Sequence, residues 1–295
     1  MNVLAQFLVN GLIAGSVYAL IALGFALIFT ASRVFHFAHG GVYTLSAFAG
    51  YTALVTLHLG IVPAFLAAML TAALLGVAIN AWLYEPMRVG GVSPFVMMIC
   101  SFGLLIIFTH TVAMIWGSNP VVLSQGGQAS VYHVGPVYIT GPQLQIISLA
   151  AALGVMLWLF FRRFRLGIAI RALGNDGELA EIVGMPARML RHLSFIVGSA
   201  LVGASAMMIG FNVGIIDFNM GFDIILMATI AMIIGGLGNV GAAAGGGFVL
   251  GLIQNVAIWK IESKWQMALS FSILILMLLV RPSGLFGEKR PAVGL

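Results

Sequence analysis

Residues 7–29 read FLVNGLIAGSVYALIALGFALIF and contain no charged side chain. A run of about 20 apolar residues is long enough to cross the hydrocarbon core of a bilayer as an α-helix. The whole chain has this character, because 61% of its 295 residues are hydrophobic and 7% are charged, whereas soluble domains carry roughly 25% charged residues. The sequence therefore predicts an all-α, polytopic membrane protein with one transmembrane domain over residues 1–295.

Apolar runs separated by glycine, proline and charged residues predict nine spans. Glycines open or close the second and the seventh run, so the prediction leaves a count of eight or nine open. The predicted spans are residues 5–30, 39–58, 62–84, 94–116, 142–161, 192–213, 222–238, 243–259 and 265–281.

The distribution of cations predicts the orientation of these spans. The loop 162–192 contains six arginines and the tail from Arg281 adds three cations, which places both in the cytoplasm together with the C-terminus. The segment 117–141 then lies outside, where its alternating Val/Tyr pattern with Gly and Pro predicts a short hairpin. An odd number of spans places the N-terminus outside as well. Because orientation accounts for the cations, a net charge of +5 does not indicate a nucleic-acid partner.

The two ends of the chain resemble each other. LLGVAINAWLY (74–84) is similar to VLGLIQNVAIW (249–259), and FHFAHGG (35–41) is similar to IDFNMGF (216–222). The matching spans run in opposite directions, so the similarity predicts an inverted repeat with halves of about 5–116 and 192–281. Inverted repeats with glycine-broken helices at matching positions indicate a transport pathway. The predicted pathway residues are Phe37, His39, Gly40, Gly41, Tyr43, Phe218, Asn219 and Gly221.

The stretch RVFHFAHGG (33–41) concentrates polar residues at the end of the first span. Gly40 and Gly41 are expected to let the second span start late or unwind, so that free backbone amides point at an anionic group such as a carboxylate. Phe37 and Tyr43 would form apolar walls. Arg33 is interpreted as an interfacial anchor.

Sequence signatures of other functions are weak or missing. His36 and His39, without a nearby Cys, Asp or Glu, make a poor zinc site, so no metal, no cofactor and no catalytic residue are predicted on this chain. GLGNVG (236–241) fits a dinucleotide-binding pattern, but apolar spans flank it where a βαβ unit is needed, and close packing or a tight turn between helices is expected instead. Asp217 and Asp223 leave two interpretations open, solvated loop charges or a gate for the solute.

Two other classes of protein fit the sequence less well than a transport subunit without enzymatic activity. An ion-coupled secondary transporter would need carboxylates within its spans, and none of the eight acidic residues falls in the middle of a predicted span. An intramembrane enzyme would need a nucleophile with a neighbouring base, and the sequence contains no recognisable pair.

Four stretches together resemble the permeases of branched-chain amino acid ABC importers. They are NGLIAGSVYALIALGFALIF followed by FHFAHGG, the loop IRALGNDGELAEIVGMPARMLRH, the segment IIGGLGNVGAAAGGGFVLGLIQ and the ending LLVRPSGLFG. The resemblance implies a subunit in a bacterial inner membrane that works with a second homologous permease, two cytoplasmic ABC ATPases that use ATP, and a periplasmic substrate-binding protein. The implied solutes are leucine, isoleucine and valine. Urea, amides and other small carboxylates are the alternatives, because the same fold serves them and DFNMGFD (217–223) is unusually acidic.

The resemblance also implies that the loop 162–192 couples the permease to the ATPases. Asn175 or Asp176 can cap a short helix, Glu178 favours its first turn, and Gly184 with Pro186 ends it. Such a helix can dock in a groove of an ATPase, the alternative being a solvated helix without a partner. The predicted coupling residues are Asn175, Asp176, Glu178, Glu181, Gly184 and Met185.

Overall fold

The structure is a computed structural model that describes residues 2–123, 130–135 and 137–287. Its helices are α1 (Asn2–Ser32), α2 (Ala38–Tyr51), α3 (Ile61–Ile79), α4 (Glu85–Val89), α5 (Pro94–Trp116), α6 (Gly141–Arg163), α7 (Arg165–Asn175), α8 (Gly177–Ile182), α9 (Ala187–Val213), α10 (Met220–Gly235), α11 (Val240–Ile258) and α12 (Gln266–Val280). The π-helical turns Thr52–Thr56 and Asn80–Tyr84 follow α2 and α3, and a 3₁₀ turn, Ser263–Trp265, precedes α12. The prediction of an all-α polytopic membrane protein is confirmed.

Seven helices among the described residues are long and apolar enough to cross a membrane, and α10 is a shorter apolar helix of 16 residues. The α-helical part of α2 has 14 residues, which its π-helical turn extends. All nine predicted spans therefore correspond to helices, but the second and the seventh, which the glycines made uncertain, are not among these seven. Their helices, α2 and α10, are called the two short helices below. The sixth span begins earlier than predicted, at Ala187 rather than at residue 192.

Among the described residues, four short strands lie beside the bundle. They are β1 (Val121–Val122), β2 (Val131–Val134), β3 (Val137–Thr140) and β4 (Ile215–Ile216). β2 and β3 pair as an antiparallel hairpin, and β1 pairs with β4. Residues 124–129 and 136 of the predicted outer segment lie outside the described residues. Gln6 near the start of α1 exchanges two hydrogen bonds of 2.9 Å with the backbone of Tyr138, so the start of α1 and the hairpin occupy the same end of the bundle.

α1 lies at the centre of the bundle and packs against α9, α10 and α11, while α3 packs along α9. α2 is enclosed by α3, α5, α9 and α10. Almost every residue of α2 is buried. None of these residues is charged, but several of them are polar. α2 is therefore an interior element of the bundle rather than a helix on its surface.

Both short helices begin inside the bundle. The ring centroid of His39, in the first turn of α2, lies 6.0 Å from that of Phe25, which precedes the end of α1 by seven residues. At 1.5 Å per residue, α2 therefore starts about 10 Å inside the end of α1. α10 begins at Met220, and its Gly221 contacts Gly40 of α2. The starts of the two short helices thus meet in the interior.

From this meeting point α2 and α10 lead to opposite ends of the bundle. α2 leads to the end that carries β1. Thr52, directly after α2, accepts a hydrogen bond of 3.0 Å through Oγ1 from the Trp116 indole at the end of α5, and β1 is the next element after α5 in the chain. α10 leads to the end where α1 finishes, and there it joins α11 through residues 236–239. Gly236 and Gly238 have φ values of +134° and +86°, which suit glycine, and the Asn239 side chain caps α11 by accepting from Ala242 N at 3.0 Å. The tight turn predicted for GLGNVG is confirmed.

Candidate functional site

The predicted pathway residues of the two chain halves come together where α2 meets α10. A Cβ atom on Gly40 would overlap the carbonyl of Gly221, and one on Gly221 would overlap the carbonyl of Gly40. Gly221 N also donates to Thr44 Oγ1 at 3.1 Å. These two glycines were aligned with each other by the sequence similarity, so matching positions of the predicted repeat are in direct contact. The repeat itself stays a prediction.

Of the two alternatives predicted for Gly40 and Gly41, a late start of the second span agrees with the position of α2 inside the bundle, whereas unwinding at these glycines is wrong. Both lie within α2, and the amides at its start are already hydrogen-bonded, since His39 N donates to His36 O at 3.0 Å and Gly40 N to Phe37 O at 3.1 Å. The glycines serve close packing instead: Gly40 meets α10, and Gly41 lies against the side chain of Phe108. Free backbone amides therefore do not line this region at these two positions.

Backbone amides at the start of α10 are hydrogen-bonded as well. Asn219 N donates to Asp217 Oδ1 at 2.8 Å, and Phe222 N donates to Asn219 O at 3.0 Å. Asp217 thus has a local structural role in the turn before α10. Asn219 is exposed, and Phe218 is half-buried against the core.

A buried polar cluster lies beside the contact between α2 and α10. His36 Nδ1 and the Tyr84 hydroxyl are 2.7 Å apart, and the rings of His36 and His39 are 5.6 Å apart between centroids. His39 and Tyr43 are fully buried, and neither ring nitrogen of His39 nor the Tyr43 hydroxyl has a hydrogen-bond partner among the described residues. Most buried polar atoms have such a partner, so the unpaired polar atoms of these two buried side chains are unusual.

Three aromatic rings lead from Phe37, directly before α2, to the exposed surface of the bundle. The Phe37 ring contacts that of Phe102 edge to face at 6.1 Å, and Phe102 contacts Phe222 in the same way at 6.5 Å. Phe102 and Phe222 are 42% and 43% exposed. We refer to Phe37, Phe102 and Phe222 as the aromatic rim. Of these three residues, the sequence analysis identified only Phe37. Phe222 belongs to the stretch IDFNMGF (216–222), and Phe102 lies in no recognised motif.

The predicted coupling helix is present as α8. The Asp176 side chain caps it by accepting from Leu179 N at 2.9 Å, and it ends before Gly184, whose φ is +80°. Asp176 is thus the cap, while Asn175 ends the preceding helix α7. Glu178 is exposed, as expected for a first-turn residue facing solvent, and Met185 packs partly into the core.

Sequence reasoning missed the apolar side chains that α8 exposes. Leu179, Ile182 and Val183 are all exposed, and Ile182 reaches 78%. They lie in the segment directly after the capping residue, next to Glu178. Exposed apolar groups that form a contiguous patch mark interaction surfaces. The face of α8 defined by Glu178, Leu179, Ile182 and Val183 is called the docking face below.

A buried ion pair, also missed from the sequence, ties α8 to the membrane helices. Arg191 Nε lies 2.7 Å from Glu85 Oε1, and Arg191 Nη2 lies 3.3 Å from Glu85 Oε2. The side chains are only 9% and 6% exposed. Arg191 Nη1 also lies 3.5 Å from Glu181 Oε1 on α8. One guanidinium of α9 therefore joins α8 to α4.

The backbone connects the ion pair to the polar cluster. Glu85 directly follows the π-helical turn Asn80–Tyr84, and Tyr84 is the partner of His36. Asn80 in the same turn is hydrogen-bonded to His192 at 2.9 Å. This turn therefore contacts both the start of α9, through His192, and the residues before α2, through His36; π-helical turns occur frequently at functional sites.

Two further arginines hold the end of α1. Arg88 Nη2 donates to Ser32 O at 3.1 Å, and Arg33 Nη2 donates to Gly174 O at the end of α7. Gly174 packs so closely on Thr30 that a Cβ atom would overlap it. Arg33 was interpreted as an interfacial anchor, but it also fastens α7 to α1, and it adopts a φ of +58° that is uncommon for a residue with a side chain.

The fold and this site define a membrane-embedded transport permease: two short helices meet inside a bundle of longer ones, and a capped helix with an exposed apolar face is tied to them. A family model described as branched-chain amino acid transport system / permease component matches residues 7–278. The chain belongs to this family, and the resemblance read from the sequence is confirmed.

Individual relatives agree with the family match. The chain is 31% identical over 300 residues to the high-affinity branched-chain amino acid transport system permease protein BraD of Pseudomonas aeruginosa, covering 98% of this chain and 96% of BraD. It is 29% identical to the corresponding permease protein LivH of Escherichia coli, with the same coverage. These relatives are transport permeases rather than enzymes.

A solved structure shares the fold. PsaBC from Streptococcus pneumoniae, determined in complex with Fab, aligns with a TM-score of 0.53 over 94% of this chain and 93% of that chain, at 16% sequence identity. At this level of identity the similarity concerns the arrangement of helices.

Proposed function

We propose that this chain is the membrane-spanning permease subunit of an ATP-driven importer for leucine, isoleucine and valine, and that it catalyses no reaction itself. The observation that carries the proposal is the family match over residues 7–278. The partners in this proposal are a second permease, two cytoplasmic ATPases that bind and use ATP, and a periplasmic substrate-binding protein. The chain would lie in a bacterial inner membrane with its C-terminus in the cytoplasm and its N-terminus in the periplasm.

The proposed solute path runs past the place where α2 meets α10. The aromatic rim offers apolar surface to a branched aliphatic side chain, and His39 with Tyr43 offers polar atoms to the amino and carboxylate groups. The positive ends of two helix dipoles also meet there and favour a carboxylate. Because the first amides of α2 are hydrogen-bonded, this attraction acts through the helix dipoles rather than through free N–H groups. Weak binding suits a path that must release what it accepts.

The docking face of α8 is the proposed contact with an ATPase. A short helix that presents apolar side chains beside one carboxylate fits a groove in a partner. Movement of α8 would reach the membrane helices through Glu181, Arg191 and Glu85, and would then reach His36 through Tyr84. The Arg33 and Arg88 hydrogen bonds would move the end of α1 with the same segment.

Reconstituted transport tests the proposal. The chain is purified together with its co-expressed partner subunits, inserted into proteoliposomes, and supplied with the binding protein and radiolabelled leucine. The expected result is leucine uptake that requires ATP and the binding protein. Unlabelled isoleucine and valine should reduce this uptake by competition. Uptake driven by a sodium or proton gradient without ATP would contradict the proposed energetics. ATP-dependent uptake of urea or an amide with no leucine uptake would contradict the proposed solute.

A further inference from the structure

A small pocket lies between α1, α10, α11 and α12. Its volume is about 270 Å³, slightly below the range of about 300–1,000 Å³ that is typical of sites for drug-sized molecules, so it suits a solute of amino acid size. Ser263, in the 3₁₀ turn before α12, and Tyr18, near the midpoint of α1, both line it. The pocket therefore extends from the connection between α11 and α12 to the middle of α1. The predicted orientation places this connection at the outer surface.

The pocket is lined by a carboxylate that pairs with no cation of this chain's described part. This is Asp223, in the first turn of α10. Among the described residues, the carboxylates in ion pairs are those of Glu85, Glu181 and Glu262. Acidic residues within membrane helices are rare, face the bundle interior or a water-filled cavity, and mark the pathways of substrates or ions. The sequence left two interpretations of Asp223 open, and its place in the lining of a pocket favours contact with the solute over a solvated loop charge.

A buried amide provides a second unpaired acceptor. Gln254 of α11 lines the pocket and is only 1% exposed. Its Nε2 donates to Ser270 Oγ at 2.5 Å. The Ser270 hydroxyl donates its one hydrogen to Gln266 O at 2.8 Å, so it can only accept from Gln254, and this fixes the orientation of the amide. Gln254 Oε1 is left without a hydrogen-bond partner among the described residues, which is unusual for a buried polar atom.

The other side chains of the lining leave the charge of Asp223 uncompensated. Ile224, Met227 and Met267 are apolar, and all three belong to the core or pack against it. Lys264 is the cation of the lining, but its ammonium pairs with Glu262 at 2.5 Å rather than with Asp223. The pocket therefore combines a negative charge and an amide oxygen with apolar walls.

We propose that this pocket binds the amino acid through its ammonium group on the outer side of the permease. The ammonium donates to the Asp223 carboxylate and to Gln254 Oε1, and the branched side chain lies against Met227 and Met267. An ammonium group has three donors and no acceptor, which matches unpaired oxygens, and charge-assisted hydrogen bonds are the stronger ones. Urea and amides lack the positive charge, and a simple carboxylate is repelled by Asp223, so the pocket favours amino acids over these solutes. The inference rests on the proposed function, for which it names a binding site.

Three photoreactive compounds with the same diazirine side chain test the proposal. They are a leucine analogue, the carboxylic acid that lacks its amino group, and the primary amine that lacks its carboxylate. Each is illuminated with the assembled transporter in proteoliposomes without ATP, at a concentration below half-saturation, and the labelled residues are identified by peptide mass spectrometry. The leucine analogue and the amine should label Met227 and Met267. The acid should label them at least about ten-fold less, because a hydrogen bond to a charged group changes an affinity by roughly ten-fold or more.

A matched pair of substitutions tests the role of the carboxylate. Asp223→Asn removes the charge with little change of shape and should lower labelling by the leucine analogue at least about ten-fold. The control is Asp217→Asn, which removes a charge six positions earlier. Asp217 is outside the pocket lining, and an asparagine oxygen can still accept from Asn219 N as Asp217 Oδ1 does, so labelling should not change. Thermal unfolding of both variants shows that they are folded.

Four outcomes would overturn the proposal. Equal labelling by all three compounds would show apolar adsorption without recognition of the ammonium. Unchanged labelling of Asp223→Asn would place the ammonium elsewhere. Displacement of the leucine analogue by millimolar sodium but not by potassium would indicate a site for an inorganic cation. Absence of labelling at Met227 and Met267 in the assembled transporter would show that a partner covers the pocket.

Uptake measurements keep this inference separate from the proposed function. Ammonium-dependent labelling of the pocket without ATP-driven leucine uptake by the parent chain would refute the transport proposal and support the binding site. Normal ATP-driven leucine uptake without labelling of the pocket would support the transport proposal and refute the binding site.

Discussion

Replacing Glu85 by Met removes the carboxylate of the buried ion pair and leaves the Arg191 guanidinium without its buried partner. The two side chains are 6% and 9% exposed and share two hydrogen bonds, of 2.7 and 3.3 Å. The remaining acidic partner, Glu181, is 3.5 Å away and largely exposed. The substitution therefore tests both the stability of the bundle and the connection between α8 and α4.

The expected loss of stability follows from burial. Removing one member of a buried ion pair costs about 3–5 kcal/mol, and an exposed pair such as Arg191–Glu181 contributes about 0–1 kcal/mol. Glu85→Met should thus lower the free energy of unfolding by about 3–5 kcal/mol. In the double variant Glu85→Met/Arg191→Met no buried charge is left unpaired, and replacing a buried ion pair by apolar residues is often neutral or stabilising. Most of the loss should then be recovered.

Transport separates a coupling role from a purely structural one. The assay measures thermal unfolding of each purified variant and, in proteoliposomes, leucine transported per ATP hydrolysed. The double variant should recover most of the stability of the parent chain and should still hydrolyse ATP, but with less leucine moved per ATP, because Arg191 no longer joins α8 to α4. The control is Glu262→Met, which breaks the exposed Lys264–Glu262 pair and should change stability by less than about 1 kcal/mol. A stable double variant with normal leucine transport per ATP would refute the proposed connection, and a fully stable Glu85→Met variant would refute the energetic argument.

Three further predictions follow from the site and the topology. Gly40→Val should abolish uptake while the subunits still assemble, because the valine side chain overlaps α10 and overpacking costs about 1–3 kcal/mol. The control Gly103→Val, in open space on α5, should transport normally. Equal uptake by both variants would show that the close contact between α2 and α10 is not needed for transport. Ile182→Asp on the docking face should prevent co-purification of the ATPases without lowering the melting temperature, as the side chain is 78% exposed; retained ATPases would exclude this face. In a cysteine-free background, impermeant thiol reagents added to intact cells should label Tyr132→Cys in the β2–β3 hairpin and not Gly177→Cys at the start of α8, and the opposite pattern would invert the predicted topology.

Local signals made much of the fold predictable. A helix in a membrane satisfies its own backbone, so apolar runs alone located all nine helices that were counted as spans. The cap at Asp176 and the glycine turn 236–239 were equally readable, because capping and positive φ depend on residues that are adjacent in the chain. The sequence similarity between the chain halves even matched Gly40 with Gly221, which are in contact.

Contacts between distant residues were not predictable in the same way. Glu85 and Arg191 are 106 positions apart, and nothing near either residue indicates the other. The start of α2 was misinterpreted because two adjacent glycines suggested an unwound helix, whereas the fold uses them for packing against α10 and Phe108. The aromatic rim was largely missed for a related reason: Phe102 is one of 20 phenylalanines, and only the meeting of α2, α5 and α10 distinguishes it.

Photo-crosslinking with a diazirine analogue of leucine tests most directly whether the solute passes where α2 meets α10. The assembled transporter is illuminated during ATP-driven uptake, and the modified residues are identified by peptide mass spectrometry, with excess unlabelled leucine as the control. We expect the labelling to concentrate on α2 and on the aromatic rim, including Phe37, Tyr43 and Phe222, and we expect excess leucine to suppress it. Leucine-sensitive labelling confined to other helices, with none on α2 or α10, would contradict the proposed path.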